Sequence, residues 1–279
     1  MNPTEKCRIG KTDVFVTKLG LGGAPFGGLH EDVGREEAFQ AIVGALDLGI
    51  GYLDTAPLYG GGKSESFFGD ALADIDSSDY VISTKVGRII EPDFSKNTDE
   101  SLNSFENIPN VQSVYDYSRD GILRSLDDSL GRLNLDSVDI VLIHDAENHM
   151  DRALNESMPT LEQLRSEGVV KAIGCGMNNV DPLIQFAKKG DFDVFLLAGR
   201  YTLLDQSGFQ TLMPLCVEKK ISIVLGGPYN SGLLASDLNN PFVCTKYFYE
   251  DTPPEVLSKA RRMKIVCDRY SVPLKAAAL

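Results

Sequence analysis

The sequence predicts an α/β protein of the (β/α)8 TIM-barrel class, and three observations carry that prediction. Short apolar runs alternate with helix-period segments along almost the whole chain of 279 residues. Those runs lack strict in–out alternation, as befits parallel strands covered on both faces. Polar residues able to do acid–base chemistry stand where several runs end, the edge at which barrel enzymes carry their sites. A doubly wound open sheet of seven strands is the structural alternative.

The elements follow in order. CRIGKTDVFV places Gly10-Lys11-Thr12-Asp13 between short apolar stretches, which predicts a small N-terminal hairpin. Strands are expected over residues 16–22, 50–54, 80–85, 138–144, 170–174, 194–197 and 221–225. Helices are expected over 35–48, 64–74, 120–133, 151–167, 182–189, 209–220 and 254–270. In the third of these, Ile122, Leu123, Leu126, Leu130 and Leu133 form one apolar stripe, and Ser118 is the expected N-cap. Strand–helix alternation without a composition break predicts one barrel domain over 1–279. The count is one strand short of eight and SVPLKAAAL reads as the opening of a helix. The expectation is therefore a C-terminally incomplete barrel lacking the eighth strand and last helix. One connection breaks the pattern: between Val86 and Asp116 about 30 residues show no helix or strand signal. Its place after the third strand, and Phe94, Phe105, Tyr115 and the adjoining Tyr117 as packing partners, predict a packed lid.

Composition narrows the partners. Hydrophobic residues make up 43% and charged residues 24%, the balance of an ordinary globular protein with material for a core. A net charge of −13 argues against nucleic acid and anionic membrane surfaces, which need a positive field. No run of about 18 apolar residues occurs, and MNPTEKCRIGKTD lacks the apolar core of a secretory signal. Five widely spaced cysteines without a CxxC predict reduced thiols and a cytoplasmic setting. No feature of the sequence fixes an oligomeric state.

The chemistry is concentrated in four residues. Asp54 closes GIGYLDTA, Tyr59 lies five residues on, Lys85 closes DYVISTK and His144 closes SVDIVLIH. Asp and Lys are depleted in strands, so their gathering at strand ends asks for a functional reason. Tyrosine's ordinary pKa of about 10 is too high for proton shuttling near neutrality. An ammonium beside the phenol favours tyrosinate, and a carboxylate holds that ammonium charged and aimed. Asp54, Lys85 and Tyr59 supply these parts, while His144 can bond the substrate oxygen. The set suits interconversion of an alcohol and a carbonyl. None of these side chains can carry a hydride, so a nicotinamide, NAD or NADP, is implied.

Other signals carry less. Gly62-Lys63-Ser64 has Pro57 where a phosphate-binding Walker loop needs glycine. Gly20-Leu21-Gly22-Gly23 lacks a clear GxGxxG; it reads as the exit of the first barrel strand, with Gly22 making room for a ligand. His144, Asp145, Glu147 and His149 have no zinc spacing, so no metal is expected. Cys175 reads as a buried small hydrophobe.

GIGYLDTAPLYGGGKSE, VISTK and VDIVLIHD resemble the aldo-keto reductases, and the likeness runs over essentially the whole chain. The resemblance implies a (β/α)8 barrel using NAD(P)(H), with Tyr59 as general acid/base, Lys85 and Asp54 tuning it, and His144 orienting the substrate oxygen. YDYSRDGILRSLDDSLGRLNLDSVDIVLIHD and KAIGCGMNN are similar to the aldose 1-dehydrogenase branch, with its L-fucose, D-threo-aldose and L-galactose dehydrogenases, and to pyridoxal 4-dehydrogenases. That likeness implies oxidation of a hemiacetal hydroxyl, as in L-fucose, L-galactose or D-arabinose, to a lactone. Aldehyde or ketone reduction, and a non-catalytic nicotinamide-sensing barrel, are the other functions the family offers. GGPYNSGLL matches the family's pyrophosphate loop, which implies Gly227, Pro228, Ser231, Gly232 and Leu233 as cofactor-binding residues. The family's Ser-Asn pair is here Gly176-Met177, with Asn178 next and implied for the carboxamide. Its glutamine is Ala198, and its stacking tyrosine is replaced within Leu225-Gly226-Gly227-Pro228.

Overall fold

A computed structural model describes residues 2–29, 31–92, 102–240, 243, 245–248 and 250–279. The chain opens with an antiparallel hairpin, β1 (Lys6–Arg8) and β2 (Phe15–Thr17). Then come β3 (Gly20–Gly22), α1 (Arg35–Asp47), β4 (Tyr52–Asp54), α2 (Lys63–Leu72) and β5 (Val81–Val86). A second hairpin, β6 (Arg88–Pro92) and β7 (Val111–Tyr115), leads to α3 (Arg119–Leu133) and β8 (Ile140–His144). After these, α4 (Met150–Arg152) runs into a π-helical turn, Ala153–Ser157, and α5 (Met158–Ser166). β9 (Ala172–Met177), α6 (Val180–Lys189), β10 (Val194–Ala198), α7 (Leu212–Lys219) and β11 (Ser222–Gly226) continue the alternation. β12 (Lys246–Tyr247), β13 (Glu250–Asp251), α8 (Pro254–Arg269) and α9 (Leu274–Ala278) end the chain.

Seven strands pair in parallel, in the order β11-β10-β9-β8-β5-β4-β3, and curl into a nearly closed barrel with helices around it. The order follows the chain without reversal, so the doubly wound alternative, which needs a switch point, does not apply. The N-terminal hairpin plugs the bottom. Ile9, Val14 and Val16 pack with Tyr52, Ile140, Leu142, Val194 and Leu196 inside the barrel. A larger apolar layer, including Leu53, Ile82, Val141, Ile143 and Ile173, lies between strands and helices. No helix among the described residues is long and apolar enough to cross a membrane.

Several expected boundaries shift by two or three residues, and three differences go further. The strand expected over 16–22 is two: Thr17 ends the hairpin and Gly20 begins the barrel, while Lys18 and Leu19 N–H donate to Glu5 and Pro3 carbonyls at the bend. The helix expected over 151–167 is interrupted by the π turn. Pro159 lacks an N–H and its ring crowds the carbonyl four residues back, which favours a wider turn there. The stretch expected to be an irregular lid begins and ends as β6 and β7 instead. Its two strands lie far apart in sequence with no tight-turn signal between them, so local reading gave no hint of pairing. Phe94 lies outside the described residues.

Candidate active site

The two-residue period of a strand decides what faces the barrel interior. On β8, Val141 and Ile143 pack outward while Ile140 and Leu142 pack inward, so His144 continues the inner row. On β5, Ile82 and Val86 face outward, which turns Ser83 and Lys85 inward. On β4, Leu53 is outward and Tyr52 and Asp54 inward. Parallel registry then sets Asp54 beside Ser83, Lys85 beside Leu142, and His144 beside Gly176.

The four residues expected from the sequence therefore meet. Lys85 Nζ donates to Asp54 Oδ2 at 2.8 Å and to the Thr55 carbonyl at 2.8 Å, and its side chain is 1% exposed. Ser83 Oγ donates to the other carboxylate oxygen at 2.7 Å and lies 3.1 Å from the Tyr52 hydroxyl. Nζ sits 4.6 Å from the centre of the Tyr59 ring, which meets the His144 ring edge-on at 6.0 Å. Asp54 thus has both oxygens engaged, and Lys85 is fixed between Asp54 and Tyr59.

Burial and charge set the protonation states. Burial pulls the Lys85 ammonium down, but the Asp54 carboxylate, Tyr59 and hydrogen bonds to both reverse this and hold it above its ordinary value. His144 is held well below the usual imidazole value, by burial first and then by the charges of Lys85 and Arg88. It is neutral near pH 7, and its Nδ1 is buried without a hydrogen-bond partner. Tyr52 is pushed up by burial and by the Asp54 charge, so it stays a neutral phenol. Asp145 rises to about 6: burial raises it, Arg88 opposes, and Glu147 adds to the rise.

A cavity of about 290 Å³ opens over these groups, walled by Leu58, Tyr59, Lys85, Arg88, Phe105 and His144, with Gly176, Asn178, Leu196 and Ala198 opposite. The expected lid aromatics divide: Phe105 reaches this cavity, its ring 6.3 Å from that of Tyr59, whereas Tyr117 is buried beneath it. The Tyr117 hydroxyl donates to the His144 carbonyl at 2.5 Å and to that of Asp145 at 3.1 Å. Sequence reasoning did not find Arg88, and it weighed Asp145 only as a metal ligand. The signal for Arg88 was its place after Lys85-Val86-Gly87, since Gly87 (φ 96°) turns the chain back over the barrel mouth. A Cβ on Gly87 would meet the Tyr117 ring at 2.4 Å.

Of the expected cofactor-side residues, Gly22 and Asn178 adjoin the four, and the others follow β11. Gly22 pairs with Asp54, and a Cβ added to it would meet nothing within 4 Å. Asn178 is on the cavity wall, and its carbonyl accepts from Arg200 Nε at 2.7 Å. Gly227 leaves β11 at φ 58°, followed by the half-buried Pro228. Asn230, Ser231 and Gly232 take left-handed φ values of 49°, 56° and 86°. Asn230 Oδ1 is buried without a hydrogen-bond partner. Leu233 is buried against a small core that includes Leu204, Leu234 and Ala260, so its side chain is taken up in packing.

The model of the aldo/keto reductase family matches residues 18–279. A pyridoxal 4-dehydrogenase of Microbacterium luteolum is 37% identical, with 100% of this chain and 85% of that protein covered. A D-threo-aldose 1-dehydrogenase of a Pseudomonas species is also 37% identical, over 95% of this chain and 80% of that one. Among solved structures, a glycerol dehydrogenase of Gluconobacter oxydans superposes with a TM-score of 0.78 at 22% identity, covering 100% of this chain and 82% of that one. The family match and these relatives define an oxidoreductase on a (β/α)8 barrel. The chain belongs to the aldo/keto reductase family.

Proposed function

We propose that this protein oxidises the anomeric hydroxyl of an aldose to the lactone, with NAD or NADP as the oxidant. The observation that carries the reading is the buried Lys85–Asp54 pair set 4.6 Å from the Tyr59 ring at the floor of the cavity. Tyr59 takes the hydroxyl proton. It does so as the phenolate, whose charge Lys85 stabilises until the proton neutralises it, and Asp54 with Ser83 keeps Lys85 charged and aimed. His144 is neutral and orients the substrate oxygen through a ring N–H.

The residues present fit a nicotinamide. Gly22 and Ala198 end their strands, and Gly176 stands one residue before the end of its own, without bulk; Asn178 offers an amide at the wall, and the left-handed turn after Gly227 suits phosphate. Asn178 would hold the carboxamide, and Gly227, Pro228, Ser231, Gly232 and the backbone of Leu233 would hold the diphosphate. When bound, the nicotinamide supplies the hydride acceptor. The free Cys7, Cys175, Cys216 and Cys267 support a cytoplasmic setting.

Pyridoxal is the second reading, because a relative named for it matches the full chain at 37% identity. Its aldehyde and neighbouring hydroxymethyl close to a hemiacetal, so the same proton removal would apply. A panel of L-fucose, L-galactose, D-arabinose and pyridoxal, followed by reduced nicotinamide absorbance, distinguishes the two. Tyr59→Phe should lower kcat at least about 100-fold, the usual range for removing a general base, while nicotinamide binding by fluorescence titration survives. Equal loss of turnover and nicotinamide binding would count against the role given to Tyr59.

A further inference from the structure

The cavity over Tyr59 does not end at the reacting groups. A second chamber of about 180 Å³ adjoins it, walled by Tyr115, Asp145, Glu147, Asn148, His149 and Asn178; Asp145 and Asn178 belong to both. Arg88 stands at the seam, 2% exposed, with Nη1 donating to Asp145 Oδ2 at 3.1 Å and Nε to Ser113 Oγ at 3.3 Å. Its guanidinium carbon lies 4.6 Å from the centre of the Tyr115 ring.

Both members of the pair are held firmly. Tyr115 and Ser113 come from β7 and Arg88 from β6, so the second hairpin is what brings the guanidinium to the mouth. Asp145 is a non-glycine residue at φ 46°, and its carbonyl is fixed by the Tyr117 hydroxyl. Non-glycine residues in that region cluster where the surroundings over-determine them. Arg88 is buried and needs the pairing that Asp145 gives it, while the Asp145 carboxylate stays 31% exposed on the cavity side, open to a ligand.

We propose that Arg88 and Asp145 select the substrate: they grip adjacent oxygens of an uncharged, polyhydroxylated molecule whose reacting carbon lies at Tyr59 and His144. Asp145 binds Arg88 through Oδ2, and Oδ1 accepts from one substrate hydroxyl while the guanidinium donates to the neighbouring oxygen. A hydroxyl both donates and accepts, so alternating carboxylate, guanidinium and amide groups match a row of hydroxyls. Asn178 continues that row, and Glu147 Oε2, buried without a partner, extends it into the second chamber. Asp145 and Glu147 together disfavour anionic substrates. The assignment deepens the aldose reading and rests on it for the identity of the reacting group.

The test is a ratio of kcat/KM within substrate pairs that differ only in hydroxyls. One pair is an aldose and its 2-deoxy counterpart, oxidised; the other is glyceraldehyde and propanal, reduced. Arg88→Gln and Asp145→Asn should lower the hydroxylated-to-deoxygenated ratio about 10- to 100-fold, mainly through KM, the range for losing a charged hydrogen bond. Arg88→Lys should recover part of it. A ratio that stays at the wild-type value, whether or not activity falls, overturns the proposal, because a structural role would depress both members of a pair alike. If Arg88→Gln does not fold, the near-isosteric Asp145→Asn decides alone. Absence of lactone from every aldose would sink the aldose reading, and the glyceraldehyde–propanal ratio would still judge Arg88 and Asp145.

Discussion

At the residue scale the candidate site is a problem of buried charge. Lys85 and Asp54 are removed from water, which costs several kcal/mol per ion, and only their mutual geometry and added hydrogen bonds offset this. Asp54→Asn should therefore act twice. It leaves the ammonium buried beside a neutral amide, destabilising the fold by about 3–5 kcal/mol in urea unfolding. It also removes the group that keeps Lys85 charged against Tyr59, so kcat should fall more than stability alone explains at temperatures where the variant is folded. A loss of stability with kcat intact would show the pair to be structural. Asp54, Lys85 and His144 could be read from sequence because each closes an apolar run and the parity of a strand carries that position into the interior; Tyr59 could be read from its place five residues beyond Asp54, in the loop that follows. Arg88 and Asp145 could not. Arg88 reaches the cavity only because Gly87 reverses the chain, and Asp145 is aimed by a left-handed backbone that its side chain does not advertise.

At the element scale, local signals worked where the partner was near in sequence. Ser118 caps α3 as expected: Oγ accepts from Gly121 N–H at 3.0 Å, with Asp120 in the first turn favoured by the helix dipole. Ser118→Ala should cost about 1 kcal/mol in stability. Because α3 follows directly from the strand that carries Tyr115, the same substitution should raise protease sensitivity near residues 111–118 before the rest of the chain; uniform sensitivity would argue that the cap supports only the global fold. Helix α2 is tied to the barrel by Glu65, which accepts from Arg132 Nε at 2.6 Å and Thr84 Oγ1 at 2.6 Å. That bond was invisible in sequence because its partners lie on three different elements. The β6–β7 hairpin was missed for the same reason. Its pairing joins Arg88 to Tyr115 across a long insertion, and periodicity reports faces within a run, not partners between runs.

At the scale of the whole molecule, the barrel is closed below by the chain's own beginning. Gly10 N–H donates to Ser222 Oγ at 2.8 Å, joining the first hairpin to the last barrel strand. The buried site above it makes stability depend on pH in two opposite ways. Asp145, raised to about 6 from 3.8, binds a proton more tightly folded than unfolded. Stability therefore falls as pH rises from about 4 through 6, where the folded protein must give up a proton that the unfolded chain has already lost. His144, held below 6.5, is neutral in the fold while the unfolded chain is still protonated. Its contribution is fully present above pH 6.5 and is lost as pH falls towards its folded value. The two slopes oppose each other in the native protein, so single substitutions are needed to expose them. Between pH 4 and 7, Asp145→Asn should gain stability relative to wild type as pH rises, on top of a constant offset from taking a carboxylate away from Arg88. His144→Gln should lose stability relative to wild type over the upper part of the same range. Urea midpoints at half-unit pH steps measure both differences. Parallel curves for Asp145→Asn and wild type would mean that Asp145 titrates alike in the folded and unfolded chains, and that Arg88 fully compensates its burial.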